Sequence, residues 1–419
     1  MSSRLPLVVI LGATGTGKTK LSLELAKKFG GEIIGADSMQ VYKGLDIITA
    51  KATREEQSAA PHHMIDILEP HELFTVTQYK NRALKIIEDL IDNQKLPVVV
   101  GGTNYYIESL LWKILIDDGS YVEVPGVLPN NEHELPSEEL HEKLKALDPS
   151  MARRLHPNNK RKILRSLEIL YKNGRRHSEI LKEQQSAKDA SRSGGGLRFG
   201  TSLVLWLQCN QDILHKRLDD RVDSMLEQGL LEELLNFHKL YNQERINSDD
   251  KELDYTKGIF QSIGFKEFHP YLMLNEEVRS TDEGKKRLRE GIDQLKLVTR
   301  RFARKQNRWI ANRFLSRTDR QVPPIYGLDT SDVSRWEENV SKIAFEIVES
   351  HISGGHCVHE RLPSRSGNSF PNSDDTTHTC EVCDRIFIGD FQWAHHQKST
   401  RHKKMVESKK RKEKQAINE

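Results

Sequence analysis

Apolar and polar positions alternate along this chain in a way that switches between two periods. The run LPLVVILG (5–12) is apolar without interruption, which suits a strand covered on both faces. It passes into GKTKLSLELAKKFG, where Leu21, Leu25 and Phe29 recur at i, i+4 and i+8, the stripe of a helix that Gly30-Gly31 ends. The alternation then repeats. GEIIGADS reads as a strand, VTQYKNRALKIIEDLIDNQK as a helix, LPVVVGGT as a strand, and TSLVLWLQC as a further strand. Long helical patterns follow in QDILHKRLDDRVDSMLEQGLLEELLNFHKLY and GKKRLREGIDQLKLVTRRFARKQNRWIANRF. Strand–helix alternation of this kind predicts an α/β fold, a parallel sheet with helices on both faces. The first three strands end in GATGTGKT, ADSMQ and GGTNYY, and ligands gather at such carboxyl ends.

Two stretches break the pattern. Residues 120–200 carry helical segments, SEELHEKLKALDPSMARRL and NNKRKILRSLEILYKNG, and end in the flexible-looking SAKDASRSGGG. They read as a helical insertion between a first core part, 1–119, and a second, 201–350. Residues 351–377 are rich in Ser, Pro, Asn and Gly and read as a linker, followed by a small finger at 378–404 and a basic tail at 405–419. There is no internal repeat.

A length of 419 residues allows two to three domains, and no apolar run approaches a membrane span, so no membrane partner is expected. The net charge of +3 names no partner, but KSTRHKKMVESKKRKEK (398–414) and TRRFARKQNRWIANR (299–313) are basic runs that suit nucleic acid. Four cysteines make no disulfide scaffold. Cys209 and Cys357 stand alone; Cys380 and Cys383 form a pair. The first residues lack the layout of a signal peptide.

Gly12, Gly17, Lys18 and Thr19 fit G-x-x-x-x-G-K-[ST] between a strand and a helix. Backbone N–H groups across Gly12, Thr14, Gly15, Thr16 and Gly17 point at anionic oxygens there, Lys18 adds a charge, and Thr19 offers a hydroxyl to Mg²⁺. An NTPase also wants an acidic residue at a second strand end, but the third strand ends VVVGGT, and Asp66 in MIDIL has no clean strand before it. This favours phosphates that leave over phosphates that are donated. Asp37 and Thr103 stand at the other two strand tips, where each is also a natural helix cap.

The blocks GATGTGKT, ADSMQVYKGLDIITAK, PHHMIDI, VVVGGTNYYIESLLW, HPNNKRKILRSLEI, DDRVDSMLEQGLLEE, GIFQSIGFKEF and TRRFARKQNRW resemble, in order, those of the tRNA dimethylallyltransferases in their eukaryotic form. That resemblance implies transfer of a dimethylallyl group from dimethylallyl diphosphate to the exocyclic amine of the adenosine 3′ of the anticodon in tRNA. It makes Asp37 the base and Thr103 a neighbour of the reacting centre. Arg217 and Arg221, one helical turn apart, would join the loop in holding the diphosphate. Ser38, Met39 and Gln40, with Asp37, would read the extruded base, and Arg161, Lys162 and Arg165 would contact tRNA phosphates. Asp37 at an ordinary pKa of about 3.9 would be ionised at neutral pH. Three alternatives remain: an adenylate isopentenyltransferase, a P-loop nucleotide kinase, and a non-catalytic RNA-binding protein with a vestigial loop.

Cys380, Cys383, His396 and His402 follow C-x₂-C-x₁₂-H-x₅-H, the spacing of a tetrahedral Zn²⁺ finger, with Phe387 and Trp393 as its small core. The histidine gap resembles U1-type fingers that bind structured RNA. The finger and tail are expected to add tRNA affinity. A monomer is the default, in the cytoplasm with possible mitochondrial and nuclear pools; KKRK (409–412) is one candidate nuclear address.

Overall fold

The computed structural model describes residues 5–113, 132–186, 196–242, 255, 257–316, 321–363, 376–383 and 385–417. Most of SAKDASRSGGG and residues 364–375 of the expected linker lie outside that set. The chain forms two compact units: Met1–Asp118 with Gly194–Arg365, and Gly119–Ser193 with Ser366–Glu419.

The first unit is built on a six-stranded sheet whose strands all run parallel. In chain order these are β1 (Val8–Gly12), β2 (Glu32–Gly35), β3 (His62–His63), β4 (Pro97–Val100), β5 (Leu203–Gln208) and β6 (Ile325–Asp329). Their spatial order is β3-β2-β4-β1-β5-β6. Because β2, β4 and β1 are neighbours, their carboxyl ends open on one crevice, as the sequence predicts. β6 was not read from the sequence. It is short, preceded by two prolines, and one face is partly exposed, so its apolar signal is weak.

The period-2 alternation in β1 divides the core. Val9 and Leu11 face one layer, with Tyr79, Ile107 and Ile310; Val8 and Ile10 face the other, with Leu21, Leu25 and Ile347. Five helices supply these layers, α1 (Lys18–Phe29), α2 (Val76–Asp92), α3 (Asn104–Leu111), α5 (Asp282–Ile310) and α6 (Lys342–Ser353), while α4 (Gln211–Glu227) packs Leu214 and Leu218 beside Ala13. α2 begins at a capping box, Thr75 with Gln78, and buries Tyr79, Ala83, Ile87 and Leu90 at helical spacing. α1 stops at Gly30, in the left-handed conformation, whose N–H donates to Ala26 O. Truncating a fully buried leucine such as Leu25 would cost about 2–5 kcal/mol.

The chain leaves this core and returns to it at one neck. Lys113 N–H donates to Gly196 O at 3.3 Å, Arg198 N–H to Leu111 O at 2.8 Å, and Trp112 bridges Leu197. Beyond β6, α6 runs to Ser353, and Leu362 N–H donates to Ile325 O at 2.8 Å, so the first part of the expected linker packs on the sheet.

The second unit holds the helices Ser137–Leu147, Pro149–Arg154, Lys160–Asn173 and His177–Ser186 around Leu140, Leu144, Met151, Ile163 and Leu167. Buried Asp148 ties them together, accepting from Met151 N–H and Ser178 N–H. It also holds the antiparallel pair β7 (Thr377–Cys380) and β8 (Arg385–Ile388) and the helices Asp390–Lys398 and Thr400–Ile417. No described helix is long and apolar enough to cross a membrane.

Candidate active site and metal centre

The loop after β1 and the first turn of α1 form the floor of a cavity of about 590 Å³. Thr14, Gly15, Gly17, Lys18 and Thr19 line it from β1; Asp37, Ser38, Met39 and Gln40 from β2; Gly101, Gly102 and Thr103 from β4. Arg217 and Arg221 enter from α4, and Leu295, Thr299, Phe302 and Gln306 from α5. This size suits a small organic ligand. A second cavity of about 540 Å³ adjoins it, sharing Thr19, Ala50, Arg221 and Met225. Gly12 ends β1, and Thr16 is buried with its hydroxyl on Ala13 O at 2.9 Å, so these two shape the loop.

The loop is braced from outside. Gly17 has a φ of +89°, and a Cβ there would fall 2.6 Å from the Trp336 ring. The Trp336 indole donates to Glu24 of α1, and Lys20 lies 4.6 Å above its ring. Arg217 donates to Gly15 O at 3.3 Å and to Thr330 O at 2.9 Å, tying the loop to the end of β6. Gln306 accepts from Thr14 N–H at 2.9 Å. Sequence reasoning missed Gln306 and Trp336. Gln306 had a signal, since it interrupts the buried stripe Ala303–Gln306–Ile310 of α5 with a polar group. Trp336 belongs to no block and had none.

Three charges meet in the cavity. Lys18 donates to Ala13 O at 2.8 Å, and its pKa is lowered to about 8, by burial first, against the pull of Asp37 and with help from Arg221. Asp37 is raised above the usual aspartate value because burial outweighs the Met39 N–H it accepts at 2.9 Å and the cations Lys18 and Arg221. The ordinary pKa expected from sequence is thereby corrected: desolvation is the larger effect. Burial also lowers Arg221. One carboxylate against two cations leaves a positive field, short of an anion. Of the two arginines, Arg221 faces Asp37 and Lys18, whereas Arg217 is engaged with backbone carbonyls.

Thr103 accepts from Ser38 N–H at 2.9 Å and donates to Ser38 Oγ at 3.1 Å, so it fixes the turn that carries Asp37. Gln40 donates from Nε2 to Thr49 O and Ala50 O, each at 3.0 Å, which commits both of its N–H groups to the protein. Asp66 accepts from Lys51 at 2.5 Å and lines the second cavity beside Thr19.

In the second unit, Arg161 and Lys162 are exposed on the helix Lys160–Asn173, and Arg165 pairs with Glu168 at 3.3 Å. The ligand atoms of Cys380, Cys383, His396 and His402 lie within 4.8 Å of one another. His402 Nδ1 is 3.6 Å from Cys380 Sγ and 3.4 Å from Cys383 Sγ, close to the roughly 3.5 Å edge of a tetrahedron of S and N ligands. His396 Nε2 is buried with no hydrogen-bond partner, as a metal ligand would be. Phe387 stacks on His396 at 4.0 Å, and Trp393 packs on Phe387 at 6.0 Å, forming the small core the sequence predicts. The arrangement is compatible with a zinc finger.

The IPP transferase family model matches residues 40–313. A curated tRNA dimethylallyltransferase of Homo sapiens is 48% identical over 99% of this chain and 88% of its own length. That of Saccharomyces cerevisiae is 35% identical over 94% of this chain and 91% of its own. A solved eukaryotic dimethylallyltransferase acting on tRNA superposes with a TM-score of 0.78 at 32% identity, covering 99% of each chain. With that extent of likeness, the chain belongs to the IPP transferase family, among the tRNA dimethylallyltransferases.

Proposed function

We propose that the cavity joins dimethylallyl diphosphate to the exocyclic amine of the adenosine 3′ of the anticodon, giving N6-isopentenyladenosine in tRNA. The chain is a prenyltransferase that places the dimethylallyl group on tRNA; the donor, the target base and the residue roles are our reading. One observation carries it: a half-buried carboxylate, Asp37, faces two half-buried cations, Lys18 and Arg221, across the mouth of a phosphate-type loop.

Breaking the allylic C–O bond puts negative charge on the leaving diphosphate. Lys18, Arg221 and the loop amides other than Thr14 N–H, which Gln306 holds, offset that charge as it forms. The new N–C bond forms on the same carbon, and the amine proton passes to Asp37. Thr103 holds Ser38 and hence the Asp37 turn, while Arg217 holds the loop itself. Both N–H groups of Gln40 are committed, so its Oε1 is left to accept from the base, and paired reading of the adenine edge is not available to it. Thr19 is exposed at the junction of the two cavities, a position suited to Mg²⁺ held by one hydroxyl, diphosphate oxygens and water. Bound there, Mg²⁺ would neutralise charge on the leaving group. Zn²⁺ suits the Cys₂His₂ set. Exposed Arg161 and Lys162, with Arg165, would contact tRNA phosphates, and the protein would act as a monomer.

The test is mass spectrometry of an anticodon stem-loop incubated with the protein, Mg²⁺ and dimethylallyl diphosphate, with AMP as a second acceptor. The reading expects one dimethylallyl increment on the base 3′ of the anticodon and none on AMP. Transfer to AMP alone would overturn it.

A further inference from the structure

We propose that Gln306 is a positioning residue that sets the separation between the donor loop and the acceptor side of the cavity. Its side chain is only 4% exposed, yet it stands among apolar neighbours on α5. The carboxamide works at both ends. Oε1 accepts from Thr14 N–H at 2.9 Å, in the loop after β1. Nε2 donates to Gly102 O at 3.0 Å, at the tip of β4. Asn104 Nδ2 reaches the Gln306 backbone carbonyl at 3.5 Å, fastening α5 to the start of α3 as well. Gly102 shows how tight this junction is. A Cβ there would fall 2.6 Å from Gln306 Nε2 and 3.3 Å from Asp37 Oδ2.

The chemical consequence follows from what hangs on each end. The loop after β1 holds the leaving group. The tip of β4 carries Thr103, which holds Ser38 beside Asp37. Gln306 therefore spans the two halves whose separation decides whether carbon and nitrogen lie in attack geometry, where small misplacements cost large factors in rate. The role needs a donor and an acceptor at fixed distance. Glutamate has no N–H for Gly102 O when ionised, and methionine has neither group, so both leave backbone groups unpaired. The proposal rests on reading the loop as the diphosphate site.

The experiment uses the full chain as wild type, Gln306→Glu and Gln306→Met. Single-turnover transfer to an anticodon stem-loop is measured at saturating dimethylallyl diphosphate, with active sites titrated. Affinities for inorganic pyrophosphate and for the stem-loop are measured separately, and Tm is recorded. We expect the rate per active site to fall at least tenfold in both variants, with each affinity changed less than threefold. A purely structural role would lower Tm and the active fraction while leaving the rate per active site intact. A rate within twofold of wild type would overturn the proposal. Failure of pyrophosphate to compete with the donor in wild type would instead overturn the diphosphate reading.

Discussion

The loop at the tip of β1 and the finger at the C-terminus are both built to hold a charged group, but they keep their shapes by opposite means. The loop is held by Trp336 under Gly17, Arg217 on Gly15 O and Gln306 on Thr14 N–H, all from far along the chain. Its form is set by the protein. The finger has two short strands, a two-ring core and four ligand atoms drawn within 4.8 Å. So little apolar surface is a weak basis for a fold, and with the Zn²⁺ proposed above its form would depend on the ion. The lesson is that a preformed site fails through its distant braces, and a metal-dependent one through its ligands.

The sharpest way to break this contrast is at the chemistry. Asp37→Ala should lower transfer about 100- to 10,000-fold while leaving tRNA affinity and Tm near wild type; single-turnover assays with a binding control would show it. Removing the metal with a strong chelator, or Cys383→Ser, should unfold the finger and leave the core intact. Limited proteolysis should then cut within 376–417 first, and the salt dependence of tRNA binding should become shallower. Gly17→Ala places a Cβ against Trp336 at a φ of +89°, so donor affinity should fall about tenfold or more while stem-loop affinity is kept.

A pH profile sharpens the same contrast. Lys18 binds an anion only when protonated and its pKa is about 8 in the free protein, so kcat/KM for the donor should decline as pH rises through about 8. Bound diphosphate favours the ammonium, so the kcat limb should lie at higher pH. Asp37 accepts a proton only when ionised, and burial raises its pKa. The acid limb should therefore lie above that of an ordinary aspartate. The smallest effect is expected from Arg161→Ala, which should weaken tRNA binding severalfold and reduce the salt slope by about one.

Much of this was legible because the chemistry clusters in short runs. Gly12 to Thr19, and the finger ligands, declare themselves by spacing. Asp37 and Thr103 were marked by their places at strand ends, together with the family blocks. What could not be read are the braces. Gln306 meets Thr14 across 292 positions, and Trp336 meets Glu24 across 312. No local period encodes such pairings. The pKa of Asp37 was equally hidden, because desolvation is a property of the folded cavity.

The neck at Trp112 and Leu197 has a consequence of its own. A segment that departs and rejoins at one bridged point behaves as a cassette. Evolution can lengthen, shorten or exchange it without redrawing the sheet, and a protein engineer joining Lys113 to Gly196 by a short turn should recover a prenyl-transfer core to which a different grip can be grafted.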